Sequence, residues 1–396
     1  MLEDTDILFL SGIRWEFSFQ RHQQIATLLA RRNRVLFFEI GLSPANLIKE
    51  PAVTLRHWKR WLRGPEEIHP RLFRCTAPPV FPLNRSVIAV NRINQEITFR
   101  AARRAGKKLG MTPDLVWISD PYFSRFALRR GRALTVFDWI HDEGEIEGSR
   151  LDRVYRRLRG ECLKGADLVF TPSRMIYDRQ GQNDPRFHLV PHGVNLPPGP
   201  VPASPPPEDI SSIPSPIIGF IGTIGPAVDL ELLDFLARSK PDWSWVLIGE
   251  TRTDPGKIPT RPNVYFLGPK KPEELSRYLS RFSAGIIPYR VNSLTETVHP
   301  VKTYQYLAAG LPVVSSRLPE LAGLGDLVRR EDDPAGFLRA LEEILAADRE
   351  EARQPRRDFA RGNSWEKRVE EIGKIIAVAR AAQSASGENV TRSVTS

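Results

Sequence analysis

The sequence predicts an α/β protein with two doubly wound, Rossmann-like parallel-sheet domains that face a cleft. Strand and helix patterns alternate from the start of the chain, as expected when helices connect the parallel strands of a sheet. A proline-rich stretch, residues 197–216, interrupts this alternation, and the same pattern begins again at Ile217. The length of 396 residues is consistent with this division, because domains average roughly 150 residues.

The first predicted domain, residues 1–196, opens with a strand, a helix and a second strand. The apolar run 6–10 and the run 34–38 are typical of buried strands, and residues 21–31 carry apolar side chains at helical spacing. Two strands joined by a helix indicate a parallel pair. Further strands are predicted from the apolar runs 115–119, 134–137, 166–171 and 188–190.

The loop after the first strand, residues 11–17, is a candidate ligand site. Gly12 would let the backbone approach a ligand closely, and Arg14 is available to bind a phosphate. A plain connection between strand and helix explains the same residues equally well. No G-x-G-x-x-G motif follows the strand, which argues against a nicotinamide-dependent enzyme.

The second predicted domain, residues 217–364, repeats the pattern with strands at 217–221 and 245–248 and a helix at 229–238. Gly222, Thr223 and Gly225 lie in the loop after its first strand, where two missing side chains favour close approach of a ligand. The prolines of 197–216 preclude regular structure and predict a stiff linker. A last helix is predicted at 365–380, and the polar tail 381–396 is predicted to be disordered.

A polar loop that leads into a helix is the strongest candidate site. The loop follows an apolar strand and contains Glu296 and Thr297, and the helix begins near Pro300, Val301 and Lys302. Ligands of open α/β sheets bind at the carboxyl ends of the strands. The free N–H groups at the start of a helix favour an anion such as a diphosphate.

Residues 299–315, HPVKTYQYLAAGLPVVS, resemble the donor-binding segment of retaining GT-B glycosyltransferases of the bacterial group 1, or family 4, type. The pattern of that family is roughly P-x-K-x-x-E-Y-L-A-A-G-x-P-V-V. The residues that fit it are Pro300, Lys302, Tyr306, Leu307, Ala308, Ala309, Gly310, Pro312, Val313 and Val314. The resemblance implies a GT-B fold, a final helix that crosses back to the first domain, and sugar transfer from a nucleotide-sugar with retention. We expect no metal or other cofactor.

The chain departs from the family pattern at two positions. In the family, a Glu in the helix holds the ribose of the donor and a Glu eight residues earlier faces the sugar. Gln305 and Thr297 occupy these positions here, with Glu296 beside the second. Gln305 can still accept a ribose hydroxyl, but without a charge the bond is about half as strong. An alternative hypothesis is therefore a GT-B protein that has lost turnover and serves as a binding or scaffold subunit.

An acidic and imidazole cluster follows the predicted strand 134–137. Asp138, His141 and Asp142 could bind a metal, orient an acceptor hydroxyl, or cap a helix. A zinc site is disfavoured because few His and Cys residues are present. By the resemblance, these residues would contact a lipid-linked or saccharide acceptor. The sequence by itself supports a helix cap equally well.

The charge and cysteine content narrow the partners and the compartment. The net charge of +10 favours an anionic partner. Two cysteines are too few for a disulfide framework, and the acidic start has the wrong polarity for a secretory signal, so we expect a cytoplasmic protein. Binding of nucleic acid is disfavoured, because the basic runs lack interleaved aromatic residues.

The segment from Leu55 to Arg63, LRHWKRWLR, favours a peripheral position at the inner face of a membrane. Leu55, Trp58 and Leu62 lie at helical spacing and Trp61 flanks this apolar stripe, whereas the basic residues lie elsewhere on the helix: Arg56, Lys59, Arg60 and Arg63. A basic helix with tryptophan suits the headgroup region of an anionic leaflet. The alternative is a helix docked on its own domain with both tryptophans in the core. The resemblance and the basic charge together predict a glycosyltransferase of cell-surface polysaccharide or glycolipid synthesis.

Overall fold

The computed structural model describes residues 2–16, 19–129, 131–140, 149–196, 205–254, 258–293 and 295–394. The chain forms two compact units. Unit 1 comprises Met1–Pro191 and Arg368–Ser396, and unit 2 comprises His192–Lys367.

Unit 1 contains an eight-stranded sheet with the strand order β3-β4-β2-β1-β5-β6-β7-β8. Its strands are β1 (Asp6–Ser11), β2 (Arg34–Glu39), β3 (Glu66–His69), β4 (Leu72–Thr76), β5 (Leu115–Ile118), β6 (Leu134–Asp138), β7 (Leu168–Thr171) and β8 (Phe187–Leu189). Its helices before the linker are α1 (Arg21–Ala30), α2 (Asn46–Lys49), α3 (Pro51–Arg63), α4 (Ile88–Lys108), α5 (Ser124–Leu128), α6 (Arg150–Gly165) and α7 (Arg174–Ile176), with a 3₁₀ turn at Pro121–Phe123 and a π-helical turn at Tyr177–Gly181. All pairs are parallel except β3 with β4, and β1 is the strand at which the order reverses.

The central strands of unit 1 are buried along most of their length because helices connect them. The rings of Phe9, Phe37 and Trp117 stack across β1, β2 and β5 with centroids 5.4 Å apart, and all three are fully buried. Strands buried on both faces have continuous apolar runs. These runs made β1 and β2 predictable from the sequence.

Unit 2 contains a six-stranded parallel sheet with the order β11-β10-β9-β12-β13-β14. Its strands are β9 (Ile217–Ile221), β10 (Ser244–Ile248), β11 (Val264–Phe266), β12 (Ala284–Ile287), β13 (Val313–Ser316) and β14 (Arg329–Glu331). Its helices are α8 (Glu208–Ser211), α9 (Leu230–Ser239), α10 (Leu275–Leu279), α11 (Val301–Ala308), α12 (Pro334–Ala347) and α13 (Glu350–Gly362), with 3₁₀ turns at Pro272–Glu274 and Pro319–Leu327. The prediction of two doubly wound parallel sheets is confirmed.

The structure differs from the sequence prediction at the edge of the first sheet. Strands β3 and β4 were not predicted, because Glu66 and Arg74 interrupt the apolar pattern. The two charges neutralise each other across the antiparallel pair, where Arg74 Nε donates to Glu66 Oε1 at 2.8 Å. Pairing that depends on a contact between strands leaves no periodic signal in a single strand.

Part of the predicted linker belongs to unit 2. Ile210 and Ile213 are buried in the core of unit 2, and Glu208–Ser211 forms helix α8, where the sequence predicted no regular structure. The prolines before Glu208 do not break this helix because they precede it, and Pro207 has a φ of −57° that suits a helix start.

The last helix, α14 (Trp365–Val394), extends beyond Arg380, into the segment predicted to be disordered. Ala381, Ala382 and Gln383 are strong helix formers, which favours the continuation directly after Arg380. Within unit 1, Arg380 Nη1 of this helix donates to Thr5 Oγ1 at 2.7 Å.

Candidate functional site

Three loops meet at the carboxyl edge of the sheet in unit 2, where the strand order reverses at β9. Backbone hydrogen bonds join the loops that follow β9, β10 and β12. Ile224 N donates to Glu250 O at 2.9 Å, and Arg290 N donates to Ala227 O at 2.9 Å. A crevice outside a reversal of strand order is the usual ligand position in an open α/β sheet. The loops therefore form a fixed frame for a ligand.

The structure brings two predicted donor residues together, Gly222 and Lys302. Gly222 has φ of +141°, a conformation that favours glycine. A Cβ atom at this position would lie 2.6 Å from Lys302 Nζ. The positive φ thus favours glycine, and a larger residue would also displace the ammonium group beside it. This places one positive charge directly against the loop after β9.

Two aromatic rings hold the Lys302 ammonium group in position. Nζ lies 4.1 Å from the ring centroid of Phe220 and 4.6 Å from that of Tyr289, and it donates to the Tyr289 hydroxyl at 2.5 Å. The lysine is only 9% exposed. An ammonium group over aromatic faces is attracted by their quadrupoles. Sequence analysis missed both rings, although each lies at the carboxyl end of one of two adjacent strands.

Helix α11 begins at the same edge. It starts at Val301, directly after Pro300, as the sequence predicted, and its start has no side-chain cap in the described structure. Tyr306 fixes the helix to the sheet, because its hydroxyl accepts a hydrogen bond from Ile221 N at 2.8 Å. Burial raises the pKa of Tyr306. The uncapped first-turn N–H groups can receive an anion.

The remaining predicted donor residues of unit 2 vary in exposure. The hydroxyl group of Thr297 is buried without a hydrogen-bond partner among the described residues, and so is that of Thr303, a residue that was not predicted. Buried hydroxyls without a partner are uncommon and disfavour the folded state unless a ligand or water satisfies them. The others are Glu296, Val301 and Gln305, which are half-buried, Gly225 and Pro300, which are buried, and Thr223, which is exposed.

In unit 1, the loop after β1 is fixed by contacts within the unit. A Cβ atom on Gly12 would lie 2.2 Å from Asp120 Oδ2, a residue that the sequence analysis did not select. Arg14 forms an ion pair with Glu50, with Nη1 and Oε2 separated by 3.2 Å. The guanidinium that the sequence assigned to phosphate is thus engaged with a carboxylate in the structure.

Asp138 is completely buried in an ion pair. Arg21 donates from Nε to Asp138 Oδ2 at 2.9 Å and from Nη2 to Oδ1 at 3.0 Å, and its Nη1 donates to Val190 O at 3.0 Å. The Asp138 side chain has no exposed surface. These contacts are those of a structural carboxylate. His141 and Asp142 lie outside the described residues.

The described parts of the chain contain no group of three or more His, Cys, Asp or Glu side chains arranged to hold a metal ion. The expectation that no metal takes part stays a prediction.

The buried side chains of Glu39 and His57 lie next to each other, and Glu39 contacts the loop after β1. Glu39 Oε1 accepts from Trp15 N at 2.8 Å, and Glu39 Oε2 lies 3.8 Å from His57 Nδ1. The other ring nitrogen of His57 lies 2.7 Å from Ile40 O. Burial lowers the pKa of His57 from 6.5 to about 4 and raises the pKa of Glu39.

This histidine makes stability depend on pH. Between pH 6.5 and about 4 the unfolded chain binds a proton that folded His57 rejects. Its contribution is complete above pH 6.5 and is lost as the pH falls. We expect the wild type to lose about 1.5 kcal/mol more unfolding free energy than His57→Gln between pH 6.5 and 5. Glu39 acts in the opposite direction, because its raised pKa favours proton uptake by the folded state.

Urea denaturation of both proteins at the two pH values measures this difference. The glutamine amide of the variant would keep a donor for Ile40 O, so the substitution changes the titration and not the hydrogen bond. Parallel losses in the two proteins would show that His57 does not control the acid sensitivity.

Comparison with solved structures identifies the fold. The chain is similar over 96% of its length to all of sucrose-phosphate synthase from Thermosynechococcus elongatus, with a TM-score of 0.70 and 16% identity. It is also similar over 94% of its length to 99% of the Anabaena protein Alr3699/HepE, solved in complex with UDP and glucose, with a TM-score of 0.64 and 12% identity. Both likenesses concern the fold alone, which is the GT-B fold.

Sequence comparisons give a more specific similarity than the fold does. Residues 215–347 match the family model described as Glycosyl transferases group 1. The Bacillus subtilis (strain 168) protein named "Putative teichuronic acid biosynthesis glycosyltransferase TuaH" is 31% identical over 172 residues, which are 41% of this chain and 43% of that protein. The match thus spans less than half of the relative. These findings support the predicted resemblance to GT-B glycosyltransferases.

Proposed function

We propose that the protein transfers a sugar from a nucleoside-diphosphate sugar to an acceptor hydroxyl, with retention of configuration, in the synthesis of a cell-surface polysaccharide or glycolipid. The observation that carries the proposal is the Lys302 ammonium group, held by Phe220 and Tyr289 against the loop at Gly222. A diphosphate between this group and the start of α11 would receive one full and several partial positive charges.

The chemistry follows from the leaving group. When the bond from sugar to diphosphate breaks, negative charge grows on the leaving oxygen. A cation fixed before the reaction stabilises that charge without reorganising in the transition state. Lys302 is fixed in this way by two rings and a hydroxyl. The proposed role of this chain is therefore to position the donor and to neutralise its leaving group.

The first test is thermal stabilisation by nucleoside diphosphates. UDP heads the panel, because HepE was solved with UDP and glucose. GDP, ADP, CDP and dTDP complete it. A ligand at 100 times its dissociation constant adds about 2.7 kcal/mol to the unfolding free energy, which raises the melting temperature measurably. If no diphosphate stabilises the protein, the proposed donor site is wrong.

The variant Gln305→Glu tests whether the protein is an active enzyme or a scaffold subunit. If the donor uses this position, restoring the charge should tighten binding of the best nucleotide about tenfold, because a charged acceptor strengthens the hydrogen bond to ribose. Release of the nucleotide from its activated sugars is then measured for both proteins. Tight binding without release in either protein would favour the scaffold hypothesis.

We further propose that the protein acts at an anionic membrane surface through α3. The structure exposes Leu55 and Leu62 at 50% and 73%, and Trp61 at 37%. The inward side of α3 carries Thr54 and His57, so Leu55 and Leu62 do not form the apolar stripe that packs on unit 1. Basic side chains lie among these exposed residues. Within the described ranges, no helix is long and apolar enough to cross a bilayer.

Removing charge from α3 tests this surface. The double variant Lys59→Gln, Arg63→Gln should weaken binding to phosphatidylglycerol vesicles about 30-fold, since each basic group near the surface contributes about 1 kcal/mol. The effect should vanish on phosphatidylcholine vesicles and at high salt. Co-sedimentation with vesicles measures it, and Lys271→Gln in unit 2 is the matched control. Equal binding of the double variant and the wild type would rule out α3 as the contact.

A further inference from the structure

Unit 1 contains a cavity of about 420 Å³ at the carboxyl edge of its sheet. It lies between the end of β2, the loop 80–86 and helix α4. Among its lining residues are Ser43, Asn46, Phe81, Leu83, Arg85 and Asp120. None of these was selected by sequence analysis. The edge of a parallel sheet near its reversal of order is a common ligand position, so the cavity is a candidate ligand site.

The rim of this cavity exposes two large apolar side chains. Phe81 is 56% exposed and Leu83 is 64% exposed. Leu83 also has a φ of +67°, in the left-handed region that residues other than Gly, Asn and Asp rarely adopt. A leucine in that conformation is strained, and its exposure contributes no burial in compensation. The loop thus keeps an unfavourable residue where Gly or Asn would fit better.

The exposure of these residues does not result from a loose loop. Asn94 of α4 accepts from Phe81 N and donates to Phe81 O, both at 2.9 Å. The same amide donates to Asn84 Oδ1 at 3.0 Å, and Asn91 donates to that oxygen at 3.2 Å. Asn91 and Asn94 are themselves buried. The loop is therefore preorganised to present its apolar side chains.

Polar and charged groups lie at the same cavity. The Arg85 guanidinium lies over the Tyr122 ring, 5.3 Å from its centroid. Asp120, whose Oδ1 accepts from Tyr122 N at 2.8 Å, and Asn46 also line the cavity. A guanidinium suits a phosphate, and a carboxylate suits hydroxyl groups. The cavity thus combines groups for a phosphorylated, hydroxylated head with an apolar rim.

We propose that this cavity binds the headgroup of a phosphate-bearing amphiphile, whose apolar chain lies on Phe81 and Leu83. The proposal rests on the proposed function in one respect, because the amphiphile would be the acceptor. Its binding does not require the donor. The exposed apolar residues of α3 belong to the same unit, which is consistent with a ligand that comes from a lipid layer.

Leu83→Asn tests the apolar rim. Asn tolerates the left-handed conformation, so the variant should keep or raise the melting temperature. Titration calorimetry uses dihexanoyl phosphatidylglycerol below its micelle concentration, with glycerol phosphate and inorganic phosphate as comparisons. We expect the lipid to bind at least tenfold more tightly than glycerol phosphate. Leu83→Asn should remove about tenfold of this advantage and leave glycerol phosphate binding unchanged.

Four further variants complete the experiment. Arg85→Gln should weaken lipid and glycerol phosphate by the same five- to tenfold factor, and Arg85→Lys should restore part of it. Phe81→Ser should repeat the effect of Leu83→Asn. Val378→Gln removes an apolar residue that is 72% exposed elsewhere in unit 1 and should change nothing.

The outcomes separate this proposal from the proposed function. All binding is measured without a nucleotide, so a failed donor site does not affect it. Equal lipid affinity of Leu83→Asn, Phe81→Ser and the wild type would overturn the proposal, as would equal affinity for lipid and inorganic phosphate. A marked fall in melting temperature for Leu83→Asn would also overturn it, because the leucine would then be structural.

Discussion

Lys302→Met should lower kcat/KM for the sugar donor by 100-fold or more. Removal of one preorganised group that stabilises a developing negative charge costs about 100- to 1,000-fold in other enzymes. Met retains much of the length and apolar surface of the lysine side chain, so its contact with Phe220 and Tyr289 would persist. The measurement is release of nucleotide from the donor that the stabilisation panel selects, together with the melting temperature without ligand.

Lys302→Arg keeps the positive charge but should still lower kcat/KM for the sugar donor relative to the wild type. The guanidinium is larger and planar, and the space beside Gly222 accommodates a single ammonium group 2.6 Å from the position of an added Cβ. Tyr289→Phe should have a smaller effect, about five- to tenfold and mainly in KM, because the ring remains and only the hydrogen bond to Nζ is lost.

Lys271→Met is the control for the loss of a positive charge in unit 2, because Lys271 is exposed. If Lys302→Met retained full activity, the ammonium group would not contact the leaving diphosphate. If the control lost as much activity, the effect would come from the overall charge of the unit.

The position of Lys302 was predictable, but the groups that hold it were not. A strand, a polar loop and a helix start lie next to each other in the sequence, so their periodic patterns placed the lysine at a carboxyl edge. Phe220 belongs to β9 and Tyr289 follows β12, and these strands become neighbours only when the sheet forms. Order within a sheet is a long-range property, so local patterns do not reveal it.

The long-range nature of contacts also explains why the sequence did not predict the ion pairs of two selected residues in unit 1. Arg14 and Asp138 were selected because a charged residue at the end of a strand often binds a ligand. Their partners, Glu50 and Arg21, lie 36 and 117 residues away along the chain. Sequence patterns identify a charge but not the opposite charge that neutralises it.

Breaking the buried ion pair should strongly destabilise the protein. Asp138→Asn leaves the Arg21 guanidinium, with 2% of its side chain exposed, without a counter-charge. Loss of one partner of a buried pair costs about 3 to 5 kcal/mol, because the remaining charge is desolvated. Urea denaturation measures the unfolding free energy. Glu3→Gln is the control, because Glu3 and Arg32 form an ion pair that is about half exposed and should contribute less than about 1 kcal/mol.

The double variant Arg21→Met, Asp138→Leu separates a structural role of Asp138 from contact with the acceptor. Apolar residues can replace a buried pair at little cost, so the double variant should recover most of the stability lost in Asp138→Asn. If Asp138 only stabilises the fold by neutralising Arg21, activity should recover with stability. A double variant that is stable but has lost kcat/KM for the acceptor would instead support the role that the sequence assigned to Asp138.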